Sequence, residues 1–232
     1  MLKRLLPLIL LPFLLSACAG FKVIDLQGYE ALTKQMPEEL KARQLPVSYE
    51  EYQSAETSSS KPYGKILFAQ LSPTFMKGQT AQYYLGDTFK DTLQPMRSRV
   101  SHLQNGFNLE HVSQSIEVRM LAIVDWNQDG KEEWLVSCKV TPRRGVHIKT
   151  WYLLVPPPLN SQEILLGTPC AILDCVGAKC QLIVKPSQEI PRMAKNDAPL
   201  TEVKEFRPGE QNVTTPPETP KTNETSLKER SL

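Results

Sequence analysis

Between positions 115 and 155 apolar and polar residues alternate as they do in half-buried strands. Ile116, Val118 and Met120 are interleaved with Glu117 and Arg119, after which 121–124 is apolar at every position. A period of two sends one set of side chains to a core and the other to solvent; a short run apolar throughout suits a strand covered on both faces. Residues 134–140 and 146–155 continue the pattern across the turn Thr141-Pro142-Arg143-Arg144-Gly145, and Pro156-Pro157-Pro158 ends it. The pattern predicts an antiparallel meander. Shorter strand candidates are 163–166, 171–173 and 181–184, the last two flanked by cysteines, and upstream 65–71 (KILFAQL) has strand composition as well.

Elsewhere the period lengthens. Phe89, Leu93, Met96, Val100 and Leu103 recur at alternating spacings of four and three, which places them on one helical face across 87–103. Pro95 predicts a kink or a division in two there, and Asn105-Gly106 a stop. Residues 29–43 repeat Leu32, Met36 and Leu40 at a spacing of four, with Pro37 splitting the helix or starting a second one and Glu38 and Glu39 suited to its first turn. The expected fold is α+β: an antiparallel sheet around 115–155 with one amphipathic helix packed on it.

Composition divides the chain. Residues 21–27 are apolar enough to lie near a membrane or to pack on the domain, and 50–62, with Ser58-Ser59-Ser60, reads as a polar spacer. The globular domain is expected over 63–192. Beyond it, Pro199, Pro208, Pro216, Pro217 and Pro220 stand among mixed charges with few apolar residues. Such a segment buries too little surface to offset its ordering entropy, so 193–232 is expected to be a disordered tail. The formal charge of the 232 residues is +2 and no basic stripe stands out, which removes the electrostatic basis for binding nucleic acid.

The first residues change the picture most. Lys3 and Arg4 precede an apolar run over 5–15, and small residues lead to a cysteine in Leu15-Ser16-Ala17-Cys18. The run is about half of what a membrane-spanning helix needs and contains Pro7 and Pro12. The order is that of a secretory signal, and the final four residues resemble the lipobox of bacterial lipoproteins. The resemblance implies that 1–17 is a signal peptide cut before Cys18, and that Cys18 carries diacylglycerol and an acylated amine, palmitate among its usual acyl groups. The mature chain, 18–62 being its lipidated N-terminus, short helix and linker, is then anchored by lipid. Ala19, where aspartate would imply inner-membrane retention, implies the outer membrane, facing the periplasm. Loss of Lys3 and Arg4 takes the charge from +2 to zero.

With Cys18 assigned to lipid, four of the five cysteines remain: Cys138, Cys170, Cys175 and Cys180. In an oxidising compartment an even number reads as disulfides, and four cysteines allow three pairings. The pairing favoured is Cys175–Cys180 across a short turn and Cys138–Cys170 between strands.

One stretch carries candidate metal chemistry. In Asp125-Trp126-Asn127-Gln128-Asp129-Gly130-Lys131-Glu132-Glu133, oxygen side chains at alternate positions precede a glycine. Alternate side chains converge as a backbone curls, which is how a calcium loop begins. The twelfth position of an EF-hand loop would be Val136, without a carboxylate, and strands flank the loop. It therefore resembles more closely the calcium loop of FG-GAP repeats. That resemblance implies calcium held by Asp125, Asn127, Asp129, the Lys131 carbonyl and Glu133, where the family usually has aspartate. Only one such loop occurs, so the resemblance does not extend to a propeller. An acidic hairpin turn uses the same residue types without metal.

No GxSxG, P-loop or Rossmann pattern is present, and His102, His111 and His147 fall in no zinc motif. Cys138 and His147 would form a dyad only if they met across the 141–145 turn. The expected function is a lipid-anchored, non-enzymatic module that binds an envelope protein or serves envelope assembly, stabilised by disulfides and by calcium. The alternative is a small envelope hydrolase with structural calcium, which calls for a pocket holding one of the three histidines beside a carboxylate.

Overall fold

The computed structural model describes residues 20–57, 59–76, 87–93 and 98–185. The elements are β1 (Lys22–Val23), α1 (Leu26–Gln35), α2 (Pro37–Ala42), α3 (Tyr49–Ser54), α4 (Tyr63–Gln70), β2 (Leu71–Ser72), a 3-10 turn (Pro73–Met76), α5 (Phe89–Leu93), β3 (Arg99–His102), β4 (Gly106–Glu110), β5 (Gln114–Val124), β6 (Glu133–Pro142), β7 (His147–Val155), β8 (Leu165–Leu166), β9 (Thr168–Val176) and β10 (Lys179–Val184). The large sheet runs β10-β9-β7-β6-β5-β4-β3, all antiparallel, and β1 pairs with the far end of β5. A separate parallel pair joins β2 and β8. The fold is α+β, and the central meander β5-β6-β7 stands where the alternation predicts it.

Helices cover both faces of the sheet. On one face α4, the 3-10 turn and α5 enclose Phe107, Val118, Trp134, Val136, Trp151 and Leu153. On the other, α1–α3 bring Tyr29, Leu32, Met36, Leu40 and Tyr52 against Leu121, Val124, Leu135 and Leu154. Pro37 stands at the start of α2 with Glu38 and Glu39 in its first turn, so the expected helix over 29–43 is two helices. Asp25 caps α1 by accepting the Gly28 amide at 3.0 Å.

Three expectations are corrected. The segment 65–71 is helical, within α4, and not a strand. A short apolar run is ambiguous between a strand and a buried helix; here Gly64 decides the packing, because a Cβ on it would lie 1.8 Å from the Gly106 carbonyl oxygen. The expected helix over 87–103 is seen as α5 over Phe89–Leu93 and does not reach its expected end, since residues 99–102 form β3. Asn105-Gly106 lies at a hairpin corner and is not a helix stop: the Leu103 amide donates to the Gly106 carbonyl at 2.8 Å, and β4 starts at Gly106. Met96 and Pro95 of that segment lie outside the described residues.

The third correction concerns 50–62. It is no free spacer over its first part, because Ser48 and Glu51 form a capping box that starts α3. Tyr52 then packs edge-on to Tyr29 with ring centroids 5.3 Å apart. Beyond α3, Val23 donates to the Ala55 carbonyl and Thr57 to that of Val23. Residues 22–57 thus pack on the sheet ahead of the expected boundary at 63. The lipobox Leu15–Cys18 and the expected tail over 193–232 lie outside the described residues.

Candidate functional site

The two helical layers differ in extent. Helices α1–α3 cover the half of their face formed by Leu121, Ala122, Val124, Leu135 and Leu154. Strand alternation carries the same face onwards as Glu117 and Arg119 on β5, Ser137 and Lys139 on β6, Ile148 and Thr150 on β7, and Leu173 and Cys175 on β9. No helix lies over this second half among the described residues, and it forms the floor of a groove of about 630 Å³ walled by α1. Gly28 and Ala31 line that wall. At the covered end Tyr152 donates to Gln35 Oε1 at 2.6 Å, and burial pushes its phenol pKa up to about 12. Sequence reading missed this site. Its signal was present: Ser137, Lys139, Ile148 and Thr150 are a mixed set of polar and apolar residues on one face, neither a core nor an ordinary solvent surface.

The charges of the groove are unevenly held. Arg119 donates to the Phe107 and Val118 carbonyls and to Asn108 Oδ1 (2.8 Å), and pairs with Glu117 at 3.0 Å. It is therefore a fixture of the sheet. Lys139, opposite Glu117 in the register, is exposed and has no ion-pair partner among the described residues.

The acidic turn between β5 and β6 uses its carboxylates locally. Asp125 accepts the amides of Asp129 (3.0 Å) and Gly130 (2.9 Å), and Asn127 Oδ1 also accepts from the Asp129 amide. Asp129 accepts the Lys131 amide at 2.8 Å and pairs with its ammonium at 3.3 Å. That amide chiefly, with Asn127 and the Lys131 charge, holds the Asp129 carboxyl below the usual range. Glu133, almost wholly buried, accepts the Trp126 amide at 3.0 Å. Gly130 has φ +82°, as the turn requires.

Asp125 Oδ1 and Asn127 Oδ1 both meet the Asp129 amide, and the Lys131 ammonium lies against the Asp129 carboxylate. Among the described residues no three of His, Cys, Asp and Glu stand together so as to hold a metal ion. The turn instead grips α2. Trp126 is buried under the Arg43 guanidinium, 5.4 Å from its ring, and Gln128 donates to the Arg43 carbonyl at 3.0 Å.

The cysteines divide. Cys175 and Cys180, cross-strand neighbours in β9 and β10, are joined in a disulfide. The expected Cys138–Cys170 bond is absent: both are free and buried. The reason is geometric. Cys138 points into the core under α4, Cys170 into the core under α1, and β7 runs between their strands. Burial pushes the Cys170 thiol up to about 12 and Cys138 higher, so both stay protonated and poorly nucleophilic at neutral pH.

The histidines are scattered. Register sets Cys138 opposite Trp151, four residues along β7 from His147, so the dyad does not form. His147 instead contacts Asp174, which also pairs with Lys149 at 3.3 Å. Those side chains lie on the face opposite the groove, where burial raises the Asp174 pKa and the two hydrogen bonds outweigh it. His102 packs edge-on to Phe68. His111 Nδ1 lies 2.9 Å from Ser113 Oγ in a hollow of about 470 Å³ with Glu110 and Arg143, and Arg143 pairs with Glu110 at 3.0 Å. Among the described residues no helix is long and apolar enough to cross a membrane.

Comparison with protein-family models, with curated proteins and with solved structures returned no match.

Proposed function

We propose that the chain is a lipid-anchored lipoprotein of the bacterial envelope, held through Cys18 on the outer membrane and facing the periplasm, that binds a partner without catalysing a reaction. The half-covered sheet face carries the binding part of this reading. A groove of this size combines Leu121, Ile148 and Leu173 with the free charge of Lys139, the mixture of apolar area and few polar groups that recognition surfaces use. The disulfide Cys175–Cys180 supports an oxidising compartment. The lipobox supports the anchor.

Two experiments test the two parts. Mass spectrometry of the mature protein should find Cys18 as an acylated N-terminus, and Cys18→Ser should move the protein out of the membrane fraction. An unmodified Cys18 within an uncut chain would refute the anchor. Thr150→Arg, placed on the groove floor, should abolish partner retention while leaving the unfolding midpoint nearly unchanged. Undiminished retention would refute the groove as the contact.

Calcium is an addition to this reading, proposed from the resemblance of 125–133 alone. A cation there would displace Lys131 from Asp129, so its test is a calcium-dependent rise in melting temperature lost in Asp125→Ala/Asp129→Ala. One contact favours the hydrolase alternative, the approach of His111 to Ser113 beside Glu110. There the acid is held by Arg143 and Ser113 meets Nδ1 within its own turn. Labelling of Ser113 by a fluorophosphonate probe would favour hydrolysis, and absence of labelling the binding reading.

A further inference from the structure

The two edges of the large sheet are built differently. At one end β3 has four residues, three of them polar (Arg99, Ser101 and His102). Short, charged edges of this kind discourage further pairing. At the other end β10 pairs with β9 over six consecutive residues without a bulge, and its charges are confined to Lys179 at its start and Lys185 just after it. Between them lies Gln181-Leu182-Ile183-Val184, with Ile183 38% and Val184 41% exposed. Among the described residues no strand pairs with its outer edge, and no charge, proline or bulge falls within that stretch.

The direction of its free backbone groups follows from both ends. Val176 and Lys179 close a two-residue hairpin, so their pair is hydrogen-bonded, and pairs then alternate along an antiparallel ladder. The Lys185 amide donates inward to Cys170, as the alternation requires. Residues 179, 181, 183 and 185 therefore face β9, while Cys180, Leu182 and Val184 direct their amides and carbonyls outward.

We infer that β10 is the contact surface for a second copy of this chain, joined edge to edge about a two-fold axis through Ile183. Self-complementarity suits a second copy, and the register that opposes the most apolar residues without like charges is the one centred on Ile183. An axis perpendicular to the sheet keeps each side chain on its own face, so directly opposed residues must be an even number apart. Centring on Leu182 would set Lys179 opposite Lys185 twice. Centring on Ile183 pairs Leu182 with Val184, Ile183 with itself and Gln181 with Lys185, and no like charges meet. In that register the outward groups of Leu182 and Val184 bond each other, and Ile183 occupies a close, non-hydrogen-bonded pair. The disulfide Cys175–Cys180 holds the edge hairpin in the pairing shape beforehand. The two grooves come to lie on the same side of one continuous sheet. This inference is independent of the anchor and of what occupies the groove.

The test uses the full-length protein in mild detergent. With Cys138 and Cys170 buried, Cys175–Cys180 bonded and Cys18 replaced by serine in every variant, Ile183→Cys adds an accessible thiol at the axis. Mild oxidation should convert Ile183→Cys to a covalent dimer, and His102→Cys at the other edge should stay monomeric. Val184→Pro removes an outward amide and no inward bond, a change that edge strands tolerate. It should shift sedimentation equilibrium from dimer to monomer at an unchanged melting temperature. A monomeric unsubstituted protein across the concentrations sampled, or equal cross-linking from residues 102 and 183, would overturn the inference.

Discussion

The two faces of the sheet hold the same strands under different degrees of cover. Under α4 and α5 the face is closed by aromatic rings: Tyr63 meets Trp134 edge-on at 5.1 Å, and Phe107 meets both Phe68 and Phe89 at 5.3 Å. Under α1–α3 the cover stops halfway, and beyond Tyr152 the same strands show Thr150, Lys139 and Arg119 to the groove. The first face does the stabilising. On the second, the helices hold one half and, among the described residues, leave the other open.

The closed face should therefore show the largest mutational effect. Trp134→Ala removes a buried ring with Tyr63 against its face and Lys61 Nζ 4.7 Å from its centroid. A loss of about 3–5 kcal/mol in urea unfolding is expected; a loss under about 1 kcal/mol would remove the contrast between the faces. A matched pair on the second face sharpens it. Leu154→Ala, under α1, should cost about 2–5 kcal/mol, whereas Thr150→Ala, on the groove floor, should stay within about 0.5 kcal/mol. Equal costs would mean that both halves are core.

Whether the N-terminal helices belong to the fold is a smaller question with a direct readout. Ser48→Ala removes the α3 capping box and should cost about 1 kcal/mol of global stability; an unchanged midpoint would make α3 an independent appendage. The smallest effect concerns pH. The folded Asp129 carboxyl lies below its unfolded range, so its contribution is present above the unfolded pKa and is lost as pH falls through the lowered folded value. Asp129→Asn should flatten the acid limb of the stability profile slightly and leave it unchanged near neutrality.

The sheet was legible because its period is short and its punctuation local: Pro142, Gly145 and Pro156 sit where β6 and β7 end. What failed had a common cause. The run 65–71 has no periodicity of its own, and its helix packs where Gly64 closely approaches Gly106, 42 residues away in sequence by their numbers. Val100 and Leu103 satisfy a helical spacing by coincidence, while β3 is decided by its pairing with β4. The capping box at Ser48 and Glu51 was readable but masked by polar composition. The separation of Cys138 from Cys170 depends on which side of the pleat each occupies, and a cysteine count carries no such information. The groove is legible only afterwards, because it is defined by where α1–α3 stop.

The claim at the centre of this account is that the uncovered half-face meets a partner while the protein is anchored. A photo-activatable residue in place of Thr150, in the full-length protein within the intact envelope, tests it most directly. The control position is Leu159, 82% exposed in the loop after β7. A discrete adduct from position 150, absent from position 159 and lost with Cys18→Ser, is the predicted result. No adduct from position 150, or the same adducts from both positions, would contradict the account.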